Sequence, residues 1–125
     1  MSDHDIEQEI QAKGLTAPRI TPADIGANIV REHYFTAANG VLGACIDDSV
    51  PMHEDAQEPK SPLHLLTFCV LELRNGYTVT GESACASPEN FDAEIGRKIA
   101  RANAVAKIWP LMGYELRSKL HQEQA

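Results

Sequence analysis

The sequence predicts an α+β domain: an antiparallel β-hairpin, open to extension by a third strand or a partner subunit, packed against a long amphipathic helix, with a further helix nearer the N-terminus. Three observations carry this. "LLTFCVLELR" is an apolar, β-prone run, and "YTVTGESAC" resumes the same pattern after a break. The break is Asn75-Gly76, the dipeptide that best tolerates the positive φ of a tight hairpin turn. From Phe91 to Trp109 apolar residues recur every three or four positions, which is the helical period.

A two-residue turn sets Arg74 opposite Tyr77, Glu72 opposite Val79, Val70 opposite Gly81 and Phe68 opposite Ser83. Leu73, Leu71, Cys69 and Thr67 then share the other face with Thr78, Thr80, Glu82 and Ala84. Both faces carry apolar groups, and an isolated two-stranded ribbon is marginal in water. One face needs the helices and the other a second subunit or another strand, so a homo-oligomer is expected.

In "SPENFDAEIGRKIARANAVAKIW", Ser87 is the expected cap and Pro88 the first helical residue, with Glu89 and Asp92 near the positive end of the helix dipole. The expected buried seam is Phe91, Ile95, Ile99, Ala102, Ala106 and Trp109. Pro110 stops or kinks this helix, and "PLMGYELRSKLHQ" restarts it with Leu111, Tyr114 and Leu120 packing back. Upstream, "ITPADIGANIVREHYF" reads as a helix of about 13 residues capped by Thr21, with Ile25, Ile29, Val30 and His33 on one side.

The chain of 125 residues fits one domain, 1–125. Residues 1–18 read as a partly flexible N-terminus, 39–62 as a mobile acidic loop rich in glycine and proline, and 121–125 as a frayed tail. No run reaches the ~18 apolar residues of a membrane span, and no signal-peptide core opens the chain. The net charge is −7, and the excess of acids lies in residues 1–60, whereas 91–125 hold six cations against four acids. A repulsive overall field argues against nucleic-acid binding. It leaves room for a local anion site on the C-terminal helix.

The chemistry-bearing residues converge on "TGESACASPENFDAEIGRKIA", residues 80–100. Cys85, Cys69 and Cys45 form no Cys-x-x-Cys and read as reduced thiols. Five scattered histidines give no metal-ligand spacing, and no phosphate or dinucleotide fingerprint is present, so no metal, cofactor or catalytic residue is assigned. The candidate ligand-binding set is Arg97, Lys98 and Arg101 on the helix with Glu82, Ser83 and Asn90 at its junction with the hairpin, holding a small anionic ligand. The plainer reading has Lys98 snorkelling past apolar neighbours and Glu94 pairing with nearby cations on the surface.

The stretch from residue 66 to 116, about half the chain, carries the hairpin ending in "NG" plus an aromatic, then "TGESAC", "NFD", "EIG" and "IWPL". In these it resembles small proteins of tailed bacteriophages and prophages, the phage gene product 49 or gene 66-like family. Tyr77 stands where many members carry phenylalanine. The resemblance implies a phage or prophage accessory protein in the host bacterial cytoplasm and supplies no catalytic residue. Joined to the residues above, it implies action by binding: a host-defence antagonist that sequesters a nucleotide-type anion. The alternatives are an inhibitor of a host protein, or a small hydrolase using Cys85 or Glu82.

Overall fold

The computed structural model describes residues 2–46 and 58–124. In chain order it contains α1 (Asp3–Ala12), α2 (Pro22–Asn28), β1 (Ile29–Thr36), α3 (Ala37–Ile46), β2 (Leu66–Leu73), β3 (Thr78–Ala84) and α4 (Ala93–Glu123). Short 3-10 turns at Pro62–Leu65 and Pro88–Asn90 lead into β2 and α4. The three strands form one antiparallel sheet in the order β1-β2-β3, and α4 lies across it. The class is α+β, and the third strand that the hairpin needed comes from the same chain.

That strand replaces the second half of the helix expected over "ITPADIGANIVREHYF". Thr21 does cap α2: its hydroxyl accepts from the Asp24 amide while the Asp24 carboxylate accepts from the Thr21 amide, and Pro22 follows at the first position. The helix ends at Asn28, however, and Ile29–Thr36 extend as β1. Arg31, His33 and Phe35 oppose Glu72, Val70 and Phe68 of β2. The run is β-branched and aromatic, and strand pairing outweighs the apolar i, i+4 pattern that suggested a helix. Asn28 ties the junction down, its backbone carbonyl and side-chain oxygen both accepting from the Arg74 amide.

The hairpin forms with its register one residue from expectation. The Leu73 amide donates to the Tyr77 carbonyl at 2.9 Å, the Gly76 amide donates to the Leu73 carbonyl at 3.0 Å, and Gly76 has φ +87°. The tip is therefore a three-residue loop, Arg74-Asn75-Gly76, closed by a glycine in the left-handed region. A slip of one changes every partner. Leu71 now opposes Val79, Cys69 opposes Gly81 and Phe68 opposes Glu82. Leu73, Leu71, Cys69 and Val79 fall together on the face toward α4, so the sheet itself no longer demands a second subunit.

Helix α4 starts later and runs further than expected. Asp92 is its cap, with a carboxylate oxygen accepting from the Ile95 amide at 3.0 Å, and Ser87 makes no capping bond. Pro110 sits inside the helix without ending it, and helical order continues to Glu123. The face against the sheet is Gly96, Ala100, Ala104 and Ile108, not the expected seam. These small residues bring helix and sheet backbones close, and with Ile25, Cys69, Leu71, Leu73 and Val79 they form the core. Ile95 and Ile99 are 55% and 47% exposed, while Trp109 is half-buried against α1.

Of the acidic loop expected over 39–62, Ala37–Ile46 form α3, begun by a reciprocal pair in which Thr36 and Asn39 side chains accept from each other's amides. Residues 47–57 lie outside the described residues. The N-terminal turns are held too: the Trp109 indole donates to the Asp3 carboxylate at 3.2 Å, and Arg19 pairs with Glu7.

Candidate functional site

The junction between β3 and α4 gathers only part of the set read from the sequence. Ser83 and Asn90 line a hollow of about 140 Å³ together with Cys85, Phe91, Ile95 and Ile99. The Cys85 thiol donates to the Ser87 carbonyl at 3.2 Å. Glu82 belongs to the strand edge, where its carbonyl accepts from the Asn103 side chain at 2.8 Å.

The three cations point elsewhere. Arg97 and Arg101 sit about 160° round the helix from Ile99, given 100° per residue. Arg101 pairs with Glu32 on β1 at 2.9 Å, and Lys98 pairs with Glu94 one turn back at 3.3 Å. Arg97 is exposed and, among the described residues, has no ionic partner. Within one chain the six residues do not converge.

Arg101 instead completes a half-buried network on the inner face. The Tyr34 hydroxyl donates to Glu32 at 2.6 Å, and Arg101 binds the same carboxylate. Arg101, and then the Tyr34 hydroxyl, hold the Glu32 carboxyl below its ordinary range. Burial and then the bond to Glu32 push the Tyr34 phenol up, and burial pushes the Cys69 thiol up. Neither is a nucleophile near neutrality; the network fixes β1 to α4. On the outer face Glu72, lowered by His33 and then Arg31, links two residues of β1 in the same way.

A larger concavity lies at the other end of the sheet and was not anticipated. A cleft of about 670 Å³ opens between α2, the hairpin tip and the second half of α4, with Ile20, Asp24, Arg74, Tyr77, Met112 and Glu115 among its walls. Tyr77 and Leu111 separate it from an apolar trough of about 490 Å³ along β3. Tyr77, Leu111 and Tyr114 are 57%, 41% and 78% exposed, so Leu111 and Tyr114 do not pack back as expected. Two tyrosines near a chain reversal are the signal that was available, since tyrosine is the residue most at home in a half-wet contact.

A sequence model of the Phage protein (N4 Gp49/phage Sf6 gene 66) family matches residues 20–120, from just before α2 almost to the end of α4. The chain belongs to that family. The match takes in the junction hollow, the hairpin-tip cleft and the trough, whereas α1 precedes it. No curated protein and no solved structure matches the chain. Among the described residues no three His, Cys, Asp or Glu side chains are grouped to hold a metal ion, and no helix is long and apolar enough to cross a membrane.

Proposed function

We propose that this phage protein acts by binding as a homo-oligomer in the host cytoplasm, and that it sequesters a small anionic, nucleotide-type ligand as an antagonist of host defence. The observation that carries the reading is the exposure of Ile95 and Ile99, which stand at the lip of the hollow holding Ser83 and Asn90. Large apolar side chains on a polar-rimmed surface are the usual mark of a contact. A second copy seated on them closes the open wall of the hollow. Its own α4 brings Lys98, about 100° round the helix from Ile99 and the nearest of the three cations to that face, whereas Arg101 stays paired with Glu32. Phe91 and Asn90 offer a flat apolar wall and an amide for a base.

Sedimentation equilibrium with calorimetry against cyclic and ADP-ribose-type nucleotides tests this. The expected result is an oligomer that binds one class of nucleotide, an Ile99→Asp variant that is monomeric and binds none, and a Lys98→Ala variant that stays oligomeric but binds about tenfold more weakly. A monomeric wild type, or an oligomer that gives no heat with any nucleotide of the panel, overturns it.

A further inference from the structure

We infer that the free edge of β3 beside the apolar trough docks an extended, acid-bearing segment of a partner protein as a fourth strand. This goes beyond the nucleotide reading and uses a different surface: Leu111 lies about 18 Å along α4 from Ile99, at 1.5 Å per residue.

The edge is chemically open. The Leu73 amide bonds Tyr77 and the Cys85 amide bonds Leu65, so in an antiparallel ladder Val79, Gly81 and Ser83 turn their backbone groups toward β2. Thr78, Thr80 and Glu82 turn theirs outward. Asn103 takes the Glu82 carbonyl, and among the described residues nothing pairs with the outward groups of Thr78 and Thr80. The opposite edge of the sheet is protected: β1 has a register irregularity between Ile29 and Arg31, and Glu32 with Arg101 stands along it. Strand β3 contains no proline, lysine or irregularity of that kind.

The trough tells what the added strand carries. Its walls are Tyr77, Pro110, Leu111 and Tyr114, which suit apolar side chains at alternate positions. Its one charged lining residue is Lys107, which among the described residues has no ionic partner. Lys107 stands one helical turn past Asn103, on the same side of α4, beside Thr80. An aspartate or glutamate of the incoming strand neutralises it. An extended occupant is required, because a helix offers no free backbone groups to Thr78 and Thr80.

The probe is an eight-residue synthetic peptide alternating valine and threonine with one central aspartate, added to the isotope-labelled full chain. Amide shifts centred on Thr78 and Thr80 are expected, with exchange of those two amides slowed about tenfold or more at saturation. A lysine-for-aspartate peptide binds about tenfold more weakly, and Lys107→Glu reverses that preference. Tyr114→Ala, an exposed position that leaves the fold intact, weakens both peptides. An unshifted spectrum at millimolar peptide, or a charge preference unaltered by Lys107→Glu, overturns the inference. Slowed exchange at Thr78 and Thr80 that grows with protein concentration alone assigns the edge to a second copy and overturns it equally.

Discussion

Gly81 lies directly beneath the backbone of Ala100: a Cβ placed on the glycine falls 2.1 Å from the Ala100 carbonyl oxygen and 2.3 Å from the Ala104 amide nitrogen. The obstacles are main-chain atoms of a packed helix, which no side-chain rotation can clear. Gly81→Ala therefore forces α4 away from the sheet and parts it from Cys69, Leu71 and Val79. The expected loss is about 3 kcal/mol or more, the upper end for overpacked cores. Gly96→Ala meets only the Thr67 side chain, its hydroxyl at 3.1 Å and its Cβ at 3.7 Å, and costs less. Urea unfolding of the two variants measures the difference; a Gly81→Ala midpoint equal to wild type contradicts the close packing of α4 on β3.

Two isoleucines on the same helix separate core from contact surface. Ile108 is fully buried, so Ile108→Ala should cost about 2–5 kcal/mol in lost burial and cavity formation. Ile99 is half exposed, so Ile99→Asp should cost the single chain only about 1 kcal/mol. Thermal melts at low protein concentration, where subunit contacts do not contribute, give the comparison. Equal losses at the two positions would mean that α4 is rotated from the orientation described.

The elements of this fold were legible where local chemistry decides them. Thr21, Pro22 and Asp24 announce α2, and Asn75-Gly76 announces the hairpin, because capping and turn preferences act within four residues. What local chemistry does not decide was misread. The register turned on whether the tip closes at Gly76 or one residue away, and Phe68 and Gly81 change partners with that choice. The buried face of α4 turned on the sheet it meets: Gly96, Ala100 and Ala104 are poor hydrophobic signals, yet they go inside because only small residues admit the strand at Gly81. The larger Ile95 and Ile99 form the more conspicuous pattern and stay outside. Of the candidate site, the sequence located the junction with Ser83 and Asn90, but Glu32 draws Arg101 across to β1 from a distance of 69 residues along the chain.

Acid should release the N-terminal helix from the body by way of one carboxylate. Arg19, and then the Gln11 amide, hold the Glu7 carboxyl down at about 2 from an ordinary value of 4.5. A carboxyl with a lower pKa in the folded state binds fewer protons folded than unfolded, so its contribution is complete above the ordinary value and is lost as pH falls through the folded one. The window thus runs from about 4.5 down to about 2. Helix α1 also touches the body through Asp3, which accepts from the Trp109 indole, and Trp109 is the only tryptophan in the chain. Its emission should therefore report the docking of α1, holding steady to about pH 4 and shifting on further acidification toward 2. In Arg19→Met the main cause of the depression is gone, so the Glu7 titration followed by carboxyl carbon NMR should move up toward 4.5. A wild-type Glu7 that already titrates near 4.5 would show that the Arg19 contact is not maintained in solution.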